Sequence, residues 1–124
     1  MADGYAIKHR DEFATMEGSG DSTWMLARQA LGTSAFGFNL VRIEPGGQIP
    51  EHDESASGQV ELYAILEGDA VMRLAGEDHE APAGTFASIE PPVSRTILNR
   101  SEAPVTALLI GVSPNGGYEH APWA

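Results

Sequence analysis

Fourteen glycines and eight prolines cut this chain of 124 residues into pieces of strand length, the texture of an all-β domain. The pieces are Tyr5–Lys8, Trp24–Leu31, Phe36–Glu44, Val60–Leu66, Ala70–Leu74, Thr85–Glu90, Thr96–Asn99 and Val105–Val112. Breakers part most of them: Pro45-Gly46-Gly47, Glu67-Gly68-Asp69, Ala75-Gly76-Glu77, Pro82-Ala83-Gly84 and Pro91-Pro92. Polar and apolar residues alternate in Val71–Leu74 and in Thr85–Glu90, as half-buried strands require. Val105–Val112 is apolar on both faces, which suits a strand inside a sandwich or at a subunit contact. Only Asp11–Met16 suggests a helical turn. With no repeat and no linker, the expectation is one domain over residues 1–124, a closed or double-sheet β-barrel.

The charge excludes several functions. Seven Lys and Arg against eighteen Asp and Glu leave −11, so no basic stripe exists to neutralise phosphates, and an anionic membrane surface repels the chain. Neither a nucleic-acid nor a membrane partner is expected. No cysteine is present, which removes disulfides and thiolate metal ligands. The N-terminal residues lack the order of a signal peptide, and the best apolar run is strand-sized, so a cytoplasmic location is the default expectation.

Chemistry-bearing residues concentrate in 45–68. His52, Glu54 and Glu61 stand between Gly46 and Gly68, in a strand–turn–strand pattern that sends side chains into one pocket. This spacing resembles the first motif of the cupin superfamily, in which a glycine, His-x-His, a glutamate and a second glycine follow at these offsets. Gly46, His52, Glu61 and Gly68 match, and Glu54 stands at the second histidine. The second cupin motif has its frame at 84–99. Gly84 and Asn99 match, Glu90 and Pro92 replace the proline and a glycine, and Arg95 replaces the histidine. The resemblance spans roughly 36–112 and implies a double-stranded β-helix, or jelly-roll barrel, with its core at about 24–112.

In typical cupins those histidines and the glutamate surround one divalent metal. Arg95 has only donors and cannot ligate. A divalent ion about 5 Å from it would cost roughly 7 kcal/mol at an effective dielectric of about 20, an amount the extra carboxylate of Glu54 offsets. Ligand count weighs more, because His52, Glu54 and Glu61 alone remain. The expectation is therefore no cofactor, with Arg95 paired bidentately to Glu54 or Glu61 where the metal would lie. The alternative is a divalent transition metal (Mn, Fe, Ni or Zn) on the trio.

The resemblance then implies a small-molecule-binding protein with His52 as a possible base and Glu61 as its partner. Tyr63, Arg95 and Asn99 are the ligand-binding candidates, and Arg95 is the hook for a small polar or anionic metabolite. The alternative is an enzyme: a metal-dependent oxygenase, isomerase or decarboxylase, or a metal-free epimerase using His52. Trp24, Leu26 and Arg28 are expected on one strand face, near the pocket or a homodimer contact. Tyr118 and Trp123, in a Gly- and Pro-rich tail, either cap the pocket or pack on the surface. His9, His79 and His120 are expected at the surface.

Overall fold

The computed structural model describes residues 3–114 and 117–124. A turn of 3-10 helix at Arg10–Glu12 precedes β1 (Thr15–Gly18), β2 (Ser22–Met25), helix α1 (Ala27–Leu31) and β3 (Gly37–Ile43). There follow β4 (Val60–Glu67), β5 (Asp69–Leu74), β6 (Glu77–Pro82), β7 (Phe86–Ile89), β8 (Arg95–Leu98) and β9 (Val105–Val112). They form two antiparallel sheets, one in the order β1-β2-β3-β9-β4-β7 and one in the order β6-β5-β8. Residues 46–52 line the free side of β8, where His52 and Arg95 exchange backbone hydrogen bonds of 3.1 and 2.8 Å. The first motif is thereby tied to the second through the main chain. This is an all-β jelly roll, and none of its described helices is long and apolar enough to cross a membrane.

The core lies between the sheets. Val41, Ile43, Ile49, Ile65, Ile97 and Val105 are buried there, each contributing roughly 1.5–3 kcal/mol relative to exposure. Strand β9 sits between β3 and β4, so both of its edges are bonded. Alternate residues Val105, Ala107 and Leu109 are buried in the core cluster. That central place accounts for its continuous apolar run.

At the end of β4 the register shifts between Ile65 and Glu67, and the chain turns back through Gly68 at φ +87°. A Cβ there would lie 2.5 Å from the Pro104 carbonyl, so only glycine fits.

Four expectations need correction. Trp24–Leu31 is not one strand: β2 stops at Met25, and Ala27–Leu31 forms a helical turn closed by Gly32 in the left-handed region. Ala, Arg, Gln and Leu are good helix formers, and Gly32 supplies the C-terminal stop. Trp24 and Arg28 therefore do not share a strand face. Tyr5–Lys8 makes no strand, and Tyr5 and Ile7 are exposed. The helical turn begins earlier than Asp11 and ends at Glu12, because the His9 side chain and Glu12 cap its first N–H groups, while Thr15 already starts β1. Finally, Glu77–Pro82 is a strand that its polar composition hides. It pairs with β5 through a turn at Ala75-Gly76, both at positive φ, a geometry that enforces a hairpin.

Candidate functional site

The inner faces of three neighbouring strands build the site row by row. Glu61 on β4 stands opposite Gly111 on β9, which stands opposite Gly37 on β3. The next row is Tyr63, Leu109 and Asn39. Two glycines in the first row remove the side chains that would fill the barrel. Other groups use that space: a Cβ on Gly37 would lie 2.2 Å from the Tyr118 hydroxyl, and one on Gly111 would lie 2.6 Å from Gln59 Oε1. What remains is a cavity of about 670 Å³.

His52, Glu54 and Glu61 meet on its wall. The His52 Nδ1 lies 2.9 Å from the Pro50 carbonyl, which can only accept, so Nδ1 carries the hydrogen and Nε2 faces the carboxylates. Nε2 is 3.2 Å from Glu54 Oε1 and 3.9 Å from Glu61 Oε1. A lone pair facing carboxylate oxygens calls for a proton or a cation between them. Ser57 donates to the other Glu54 oxygen at 2.7 Å, holding that carboxylate in place.

Behind Glu61 lies Arg95, fully buried. One terminal nitrogen donates to Glu61 Oε1; Nε donates to the Val93 carbonyl at 2.8 Å, and the other terminal nitrogen to the Glu90 carbonyl at 2.9 Å. The pairing is thus with Glu61 alone and through one nitrogen, since the loop 90–93 captures the rest of the guanidinium. Tyr63, also buried, donates to the same Glu61 oxygen at 3.3 Å. Burial, and then the Glu61 charge, push the Tyr63 phenol far above its ordinary range, so it remains a donor. Burial and then Glu54 push the Glu61 carboxyl up, and these outweigh the pull of Arg95.

That direction gives a testable pH dependence. Because the fold favours protonated Glu61, its stabilisation is complete below the ordinary carboxylate value of 4.5 and is lost as pH rises through the higher folded value. The stability difference between wild type and Glu61→Gln, from urea unfolding, should therefore shift against wild type as pH rises above 4.5. A constant difference would refute the direction.

His52, Glu54, Glu61 and Tyr63 line the cavity, as does Trp24. Arg95 lies behind the wall instead. Asn99 is remote from the cavity and saturated by backbone and Ser101. Residues of the tail form part of the cavity lining. Trp123 meets Trp24 edge-on at 6.2 Å, Arg28 donates to the Ala124 carbonyl, and Tyr118 and His120 border the cavity. His9, His79 and His120 are exposed. Gly37→Ala should push Tyr118 off its seat and change the tryptophan fluorescence of the Trp24–Trp123 pair; an unchanged spectrum would mean the tail does not depend on that contact.

Sequence reasoning passed over Asn39, which is 9% exposed on the cavity wall with an Oδ1 that has no partner among the described residues. A signal was available. Asn39 alternates with Val41 and Ile43 along one strand and so had to face inward with them.

The cupin domain model matches residues 39–111, more than half of the chain. No curated protein matches. Among solved structures, a sugar phosphate isomerase of the cupin superfamily from Silicibacter pomeroyi DSS-3 is similar, at 26% identity and a TM-score of 0.76, over 86% of this chain and 75% of that one. A predicted oxalate decarboxylase from Thermotoga maritima is 20% identical with a TM-score of 0.74, covering 87% of this chain and 99% of the other. A polyketide cyclase from Streptomyces resistomycificus is 17% identical with a TM-score of 0.71, over 86% and 78%. The last two likenesses concern the fold alone, and the three names describe different reactions.

Proposed function

This chain belongs to the cupin family, and on that premise we propose that it binds a small molecule in the cavity bordered by His52, Glu54, Glu61 and Tyr63, without a resident metal. The observation that carries the reading is the buried Arg95–Glu61 pair beside an open cavity. The guanidinium supplies the fixed positive charge that a metal would otherwise give to Glu61. Its donors are committed to Glu61 and to backbone carbonyls, so it organises the wall and does not reach the ligand. His52 is then the group placed for proton transfer, with Pro50 setting its tautomer and leaving Nε2 toward the cavity beside Glu54.

A second reading has support of its own. Single ligand atoms of His52, Glu54 and Glu61 lie within 4.8 Å of one another. The donor set of one imidazole and two carboxylates fits a hard or borderline divalent ion of the Mn, Fe, Ni or Zn type. Such an ion would supply Lewis-acid polarisation of a bound substrate oxygen. Tyr63 and Arg95 would hold Glu61 in place, and Ser57 would hold Glu54.

Elemental analysis separates the two readings. Protein purified with Mn, Fe, Ni and Zn in the medium is expected to carry substoichiometric metal. One equivalent that disappears in His52→Ala would establish the metal reading instead. Small-molecule binding itself is read by calorimetry on the metal-stripped protein.

A further inference from the structure

Acceptors crowd the wall of the cavity, and the one cation that touches them, Arg95, is buried behind Glu61 and does not line the cavity. His52 Nε2 is left as an acceptor once Nδ1 donates to Pro50. His120, on the rim, is set in the same tautomer by the Ala121 carbonyl 2.8 Å from its Nδ1. Glu54, Glu61 and Glu119 add carboxylates. Asn39 adds a buried Oδ1 with no donor among the described residues, an arrangement that costs stability unless a ligand supplies one.

The cations are elsewhere. Among the described residues no Lys or Arg lines the cavity. Arg95 is sealed behind Glu61, and Arg28, behind the cavity-lining Ala124, spends its terminal nitrogens on the carbonyls of Thr33 and Ala124 and keeps a buried Nε with no partner among the described residues. A phosphate or carboxylate entering here would meet the carboxylates of Glu54, Glu61 and Glu119, with no Lys or Arg side chain among the described lining residues to pair with it. An ammonium would meet three acceptors within 4.8 Å of one another, one for each of its N–H donors. Trp24 and Trp123 offer apolar and cation-attracting ring surface to the rest of such a molecule.

Resting on the reading of this cavity as a ligand site, we propose that it selects small organic cations, with the ammonium on Glu54, Glu61 and His52, and rejects anionic metabolites. The likeness to a sugar phosphate isomerase therefore does not extend to the charge of the ligand.

A matched series tests this: putrescine, butanediol and succinate, of equal chain length, titrated calorimetrically into EDTA-treated full-length protein. Putrescine should bind about tenfold or more tighter than butanediol, and succinate should give no binding. Glu54→Gln, which keeps the shape of the side chain, should weaken putrescine about tenfold and butanediol far less, so that the ratio between the two falls. Asn39→Ala provides a second variant, on β3 and away from the Glu54 loop, and should weaken putrescine as well. Equal binding of all three, or preference for succinate, would overturn the charge assignment and leave the cavity as a ligand site. Failure of all three to bind would overturn both.

Discussion

Arg95→Met is expected to lower stability by roughly 3–5 kcal/mol, the range for removing one partner of a buried ion pair. The loss has two parts. Glu61 loses its counter-charge and must take up a proton or stay a buried, uncompensated carboxylate, and the Val93 and Glu90 carbonyls lose their donors. In urea unfolding the midpoint should fall with the slope unchanged. Arg95→Lys should recover little, because a single ammonium cannot span Glu61 and the two carbonyls at once. The double variant Arg95→Met with Glu61→Leu should regain much of the loss, since it removes both charges together. A single variant as stable as wild type would mean the pair does not support the barrel, and the metal-free reading would lose its foundation.

Asn99→Leu should cost about 2–4 kcal/mol. Asn99 is 1% exposed, and its amide nitrogen donates to the carbonyls of Ile43 at 2.9 Å and Ala103 at 2.8 Å. Its oxygen accepts from the Ser101 backbone at 2.9 Å and from the Ser101 hydroxyl at 2.6 Å. One side chain thus closes the turn between β8 and β9 and ties it to the end of β3. Leucine has a similar volume but leaves these groups unpaired, and Asn99→Asp, which keeps only the acceptor, should fall between. Ligand affinity measured on folded protein should be unaffected. A large loss of binding without loss of stability would instead place Asn99 in the site.

Which parts could be read from sequence follows from how local each signal is. The strands at Val60 and Val105 begin where expected, and that at Ala70 begins one residue earlier, because turn chemistry and alternation are properties of adjacent residues. Glu77–Pro82 escaped because its strand character comes from pairing with β5, not from its own composition. Trp24–Leu31 misled because apolar residues fit either a strand or a helix over so short a run, and Gly32 decided between them. The meeting of His52, Glu54 and Glu61 was legible from the spaced motif. The inward position of Asn39 was legible too, but its unpaired Oδ1 was not, since no local pattern says which neighbours across the sheet leave it without a donor.

From the sequence alone came the β architecture, the framing glycines and the place of the pocket, all of which rest on local backbone chemistry and fixed spacing. The tertiary structure decided what Arg95 does. Its position in the second motif could have sent it into the cavity or behind the wall. The loop at 90–93 drew its donors inward, onto the Val93 and Glu90 carbonyls, and Glu61 completed the set. Contacts made across the sheets, which no spacing encodes, turned the expected anion hook into a scaffold and left the cavity lined with acceptors.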